Sequence, residues 1–222
     1  MTVTANNIDL IGTVFMPPEY SHTVYGEAFF RLVLSVRRLS GAEDLVPVTA
    51  SERLLSIPAD GGDRLRIGGE IRSYNKRTEA GSRLVVTVFA RELEPAEDGG
   101  DMNEAELTGF ICKPPVYRTT PFSREIADVL LAVNRRTGRS DYLPVIAWGR
   151  NARFVSELPV GTELTVLGRL QSREYKKRFE DGTEVVRTAY EVSASAVSVS
   201  EASRPSQGAR GAIAAEPRRT KS

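Results

Sequence analysis

The chain repeats itself, and the repeat constrains its organisation before any other feature does. Leu10-Ile11-Gly12 returns as Leu107-Thr108-Gly109, 97 positions later. Met16-Pro17-Pro18-Glu19-Tyr20 returns at the same offset as Lys113-Pro114-Pro115-Val116-Tyr117, and Asp44-Leu45-Val46-Pro47-Val48 as Asp141-Tyr142-Leu143-Pro144-Val145. Leu32–Arg38 likewise matches Val129–Arg135; further on the offset grows to 99, where Gly69–Ser73 matches Gly168–Ser172. These matches predict two copies of one domain rather than one large domain, at residues 1–94 and 103–200, joined by an acidic, Pro/Gly-bearing linker at 95–102. Residues 201–222 are rich in Ser, Arg, Pro, Gly and Ala, offer little to bury, and read as a disordered basic tail.

Each copy reads as short strands with one short helix. In copy two, Val129 to Val133 is an unbroken apolar run, Thr137–Asp141 is a turn cluster, and Tyr142 to Trp148 is the returning strand of a hairpin. Asn151 to Leu158 places Phe154, Val155 and Leu158 at helical spacing before Pro159 stops it. A strand from Leu164 to Leu170 carries Gly168, a residue that suits a sharp bend where a small barrel closes. Asp181-Gly182 is a hairpin turn, and Tyr190 to Ala196 alternates with period two. Three strands, a helix and two strands is the order of an OB-fold. The predicted class is therefore all-β: two tandem five-stranded OB-fold barrels, each with one short helix.

Composition removes several chemistries. With one His (His22) and one Cys (Cys112), no His/Cys metal site of ordinary ligand count and no internal disulfide can be built. His22 lies in a polar segment and Cys112 in an apolar run, so neither reads as catalytic. Phosphate-cradling glycine motifs are missing, as is a carboxylate pair at telling spacing, so no enzyme and no cofactor are expected. The start of the chain has no secretory pattern, and no apolar run reaches eighteen residues, so a cytoplasmic setting is expected. Net charge is only +1, but the first 102 residues are acidic overall, while copy two and the tail are basic.

Copy two resembles the bacterial single-stranded-DNA-binding protein family. Thr120-Pro121 and Leu131-Ala132-Val133-Asn134-Arg135-Arg136 resemble its second strand, and Ser140 through Ala152 its third strand and helix start. Leu158-Pro159-Val160-Gly161, then Gly168 through Tyr175, resemble its fourth strand and the arm that follows. Copy one shows the likeness more weakly. The resemblance implies that Tyr142, Trp148 and Tyr175 serve as stacking platforms for bases. It also implies a non-catalytic role in replication, recombination or repair. Family members with one barrel per chain act as tetramers, so a chain with two barrels is expected to be a homodimer. Members usually end in an acidic tip that recruits other enzymes; Pro217–Ser222 is basic, so recruitment of that kind is not expected. This tail either attracts phosphate or is simply solvated.

The chemistry fits the residues without the name. Every base has a π-face, so an exposed ring binds any sequence, and cations beside it meet the phosphates. Arg169, Arg173, Lys176, Lys177 and Arg178 surround Tyr175; Arg150 and Arg153 follow Trp148; Arg135, Arg136 and Arg139 sit on the preceding hairpin. Tyr142 and Trp148 are six apart and share a face of an undistorted strand, which is either the outer surface or the barrel interior. Copy one has Leu45, Ser51 and Lys76 at the three aromatic positions, yet carries Arg72, Lys76, Arg77 and Arg83 near its own fourth strand. It is expected to bind DNA weakly or to build the oligomer. The alternative for the whole chain is a protein-interaction module of a replication or primosome assembly, with weak DNA binding.

Overall fold

A computed structural model describes residues 5–78, 81–178 and 182–199. The tail at 201–222, Asp181 of the expected turn and the side chain of Lys177 lie outside the described residues. The first barrel comprises β1 (Asn6–Val24), β2 (Glu27–Arg37), β3 (Glu43–Ser51), β4 (Arg64–Thr78) and β5 (Gly81–Pro95). β1 pairs with both β2 and β4, and a short parallel contact between β3 and β5, Val48 opposite Val88, closes the ring. The second barrel repeats this with β6 (Met102–Ile111), β7 (Val116–Thr119), β8 (Glu125–Asn134), β9 (Ser140–Trp148), β10 (Glu163–Arg178) and β11 (Glu184–Val199). Its closing contact sets Val145 of β9 beside Val192 of β11. The chain is thus two tandem OB-fold barrels.

Alternation makes the walls. On β3, Val46, Val48 and Ala50 are fully buried while Leu45, Pro47, Thr49 and Ser51 face outward; β9 repeats the pattern with Leu143, Val145 and Ala147 inside. Gly168 sits at the bulge where β10 bends, as its place in the strand suggested. A Cβ there would lie 2.2 Å from the Ser193 carbonyl oxygen, so only glycine allows the strands to approach.

Two details depart from the sequence reading. The helix of copy two, α1, spans Arg150–Ser156, but copy one has only a single 3₁₀ turn, Glu52–Leu54. Six residues separate Ser51 from Pro58, against ten between Trp148 and Pro159, which leaves no room for two helical turns. Copy two also has an extra strand, β7. The prolines at 114 and 115 interrupt pairing after Ile111, whereas copy one carries its Pro17-Pro18 inside the long β1, with irregular register around them.

The barrels are joined edge to edge. β1 pairs antiparallel with β6, and Ile8 faces Ala105, its own counterpart in the repeat, so a pseudo-twofold axis passes between them. This pairing removes two open edges and makes one eleven-stranded sheet. Asn6 clasps the backbone of Ile71 with two hydrogen bonds (2.8 and 2.9 Å), and Asn103 does the same to Leu170 (2.7 and 2.9 Å). The arms of the long hairpins then cross to the opposite barrel. Asp44 accepts from the Ser172 N–H (2.8 Å), and Asp141 from the Ser73 N–H (2.6 Å). Both carboxylates are fully buried, and each is forked by an arginine of its own barrel, Arg38 or Arg135. The hydrogen bond that each guanidinium donates to its aspartate raises its pKa above the ordinary value, against the opposing effect of burial.

Residues 96–101 connect β5 to β6 and are held against barrel one. Arg64 donates to the carbonyls of Glu97 and Gly100 and pairs with Asp101 at 2.8 Å, while Asp101 also accepts from the Arg37 N–H.

Candidate nucleic-acid interface

The outward alternation of β9 carries Tyr142, Pro144, Ile146 and Trp148. Tyr142 is 47% exposed and Trp148 37%. The indole is fixed rather than free: its Nε1 donates to Ser193 Oγ on β11 at 3.1 Å. Two residues before Ser193, on the same face, Glu191 accepts from Gln171 Nε2 of β10 (2.9 Å) and lies 3.8 Å from Arg173. The Arg173 guanidinium stands 5.9 Å from the centre of the Tyr175 ring, and Tyr175 is 36% exposed. The three aromatic side chains therefore lie on the outer face of barrel two, Trp148 tied to β11 through Ser193 and Tyr175 beside Arg173, which itself lies near Glu191 of β11. None of them is in the core.

The cations divide into two groups. Arg136, Arg139, Arg150 and Arg178 are exposed and have no ion pair among the described residues; the same holds for Lys76 and Arg77 on the β4 arm. Others are engaged. Lys176 lies 3.8 Å from Glu184, Arg153 pairs with Glu125 at 2.9 Å, and Arg72 with Glu70 at 2.8 Å. Arg169 is half-buried, with a single long hydrogen bond to Gln171 (3.5 Å). Arg135 is the residue whose geometry departs most from a phosphate-binding role. Its fork is closed on buried Asp141, and its Nη2 also reaches the Ser73 carbonyl at 3.4 Å, so it braces the crossed arm.

Copy one has no ring where β9 carries Tyr142 and Trp148. Its outer face nevertheless holds aromatic side chains, Phe29 on β2 and Phe89 on β5, which matching the two copies position by position misses. The available signal was the alternation Phe29-Arg31-Val33 against buried Leu32 and Leu34.

Among the described residues no group of His, Cys, Asp and Glu is arranged to hold a metal ion. No helix among them is long and apolar enough to cross a membrane.

Comparison with known proteins bears on the chain as a whole. Residues 102–200 match the model of the single-strand binding protein family. Over 82% of its length the chain is 31% identical to a single-stranded DNA-binding protein of Thermus aquaticus, spanning 83% of that protein. It is 28% identical to the protein of that name from Thermus thermophilus, with 82% of each chain covered. The crystal structure of the wild-type Thermus aquaticus protein superposes with a TM-score of 0.72 at 25% identity, covering 95% of this chain and 98% of that one. With its repeat, its paired barrels and this relationship along most of its length, the chain belongs to the single-strand binding protein family.

Proposed function

We propose that the chain binds single-stranded DNA with little sequence preference, without catalysis, by stacking unpaired bases on Trp148, Tyr142 and Tyr175. The observation that carries this reading is the exposure of those three rings on one face of barrel two, beside Arg136 and Arg150, which are exposed and have no ion pair among the described residues, and beside Arg173 and Lys176, each only 3.8 Å from one carboxylate. A ring held by a hydrogen bond, as Trp148 is by Ser193, loses little freedom when a base settles on it. Arg150, Arg136, Lys176 and Arg173 are the phosphate contacts in this reading; Arg135 holds the site together instead. Covering strands during replication, recombination or repair, in the cytoplasm, is the setting that fits such a protein. Family membership and the open aromatic face weigh against the interaction-module alternative.

Two chains would bring four barrels together, and a homodimer is the assembly we propose. Sedimentation would then give twice the chain mass. The binding reading is tested by titrating a dT oligonucleotide while following the emission of Trp148, the only tryptophan. Strong quenching is expected. Unchanged emission together with no mobility shift would refute the proposal.

A further inference from the structure

Barrel one keeps hold of the chain as it leaves. β5 ends at Pro95, opposite Leu65 of β4, and the residue before Leu65 is Arg64. The Arg64 carbonyl accepts from the Ala96 N–H at 2.9 Å. Its guanidinium donates to the Glu97 and Gly100 carbonyls and to the Asp101 carboxylate. One cation on β4 thus fastens the departing segment, and one anion in that segment balances it.

Barrel two repeats this place with the charge reversed. β11 ends at Val199, opposite Leu164 of β10, as Pro95 stands opposite Leu65. Leu164 also faces Gly109 of β6, and Leu65 faces Gly12 of β1, the counterpart of that glycine. The turns leading in match as well. The Gly62 N–H donates to the Val14 carbonyl (2.9 Å) and the Val14 N–H to the Asp63 carbonyl (2.8 Å); the Gly161 N–H donates to Ile111 (2.8 Å) and the Ile111 N–H to Thr162 (3.0 Å). Glu163 therefore occupies the station of Arg64. Leu164 is fully buried in the core, so alternation turns Glu163 to the outer face of the strand. Yet Glu163 is only 5% exposed, and its Oε1 has no hydrogen-bond partner among the described residues. A carboxylate oxygen shut away from water without a donor is costly, and such groups in native proteins are paired.

Counting on from the matched strand ends, Ser200 to Pro205 stand where Ala96 to Asp101 stand in barrel one. That stretch reads Ser200-Glu201-Ala202-Ser203-Arg204-Pro205, and its one cation is Arg204. Arg204 falls at the station of Gly100, whose carbonyl Arg64 holds.

We infer that Glu163 docks the segment following β11 onto barrel two through an ion pair with Arg204, a charge-reversed copy of the clamp between Arg64 and Asp101. A guanidinium presents two parallel N–H donors to a carboxylate, so it satisfies the buried oxygen and balances its charge together. Arg204 is thereby engaged by the protein itself. The remaining tail cations, Arg210, Arg218, Arg219 and Lys221, then depart from a fixed point on barrel two.

The experiment follows amide hydrogen exchange across residues 200–206 of the full chain. In the unmodified protein these amides should exchange at least about tenfold more slowly than an unstructured peptide of the same sequence. Arg204→Ala should remove that protection, and Glu163→Gln should weaken it. Exchanging the two charges, Glu163→Arg with Arg204→Glu, should restore it, which a merely local effect of either residue would not do. Should the exchanged chain fail to fold, Arg204→Ala decides alone, since that residue follows the last strand and its loss leaves both barrels intact. Unprotected amides in the unmodified chain, or protection that survives Arg204→Ala, would overturn the inference. So would a folded charge-exchanged chain in which protection does not return. The protection should also be independent of protein concentration; its loss on dilution would assign Glu163 to a second copy of the chain and overturn docking within one.

Discussion

At the scale of single residues, an exposed ring on this protein is defined by what anchors it. Trp148 is pinned by Ser193, Tyr175 lies beside the Arg173 guanidinium, and Tyr142 stands on a strand whose next residue inward is the fully buried Leu143. Trp148→Ala and Tyr175→Ala should each weaken dT binding by about 1–3 kcal/mol, the usual worth of one stacked base. Anisotropy of a labelled oligonucleotide measures this, and an unaltered affinity for Tyr175→Ala would remove that ring from the platform. Both side chains are nearly two-thirds buried and Trp148 also donates to Ser193, so each change should lower stability as well, and urea unfolding separates that loss from the loss of binding. In Gly168→Ala the added methyl would collide with the Ser193 carbonyl, at a cost of about 1–3 kcal/mol in urea unfolding.

At the scale of elements, much was legible in the sequence and the remainder had a physical reason to be hidden. The repeat, the strand order and the shared face of Tyr142 and Trp148 follow from local pattern, since alternation and turn residues act over a few positions; which side of the barrel wall that face lies on does not. The short 3₁₀ turn of copy one was foreshadowed only by the early Pro58, which a domain-level match overlooks. Phe29 and Phe89 escaped notice because a ring can reach one place on a sheet from either of two adjacent strands, and sequence position alone does not say which. The crossed arms were invisible altogether. Nothing near Asp44 or Asp141 in the chain marks them as partners of Ser172 and Ser73, which lie 128 and 68 residues away. Their pairing depends on the β1–β6 register. Asp141→Asn should therefore lower unfolding stability by about 3 kcal/mol, since it leaves the Arg135 fork without its counter-charge. Denaturant titration measures the loss. A change below about 0.5 kcal/mol would mean that the brace is replaced by water at little cost.

At the scale of the whole molecule, a net charge of only +1 conceals a surface on which binding depends on local clusters. If about five cations meet phosphates, the log–log dependence of affinity on salt should have a slope of about −3 to −4. A flat salt response would contradict the proposed role of these arginines and lysines. The reciprocal aspartate latches and the paired β1 and β6 edges also tie the barrels into one thermodynamic unit. Calorimetry should show one unfolding transition, and two well-separated peaks would contradict that coupling.

The six residues that bridge the barrels act as a spacer rather than a tether. A slack linker would let the second barrel drift, and its separation from the first would follow the statistics of a wandering chain. Here Arg64 clamps the bridge at three points, so the distance from one barrel to the next is set in advance. Any ligand long enough to touch both halves would meet them at a constant stride.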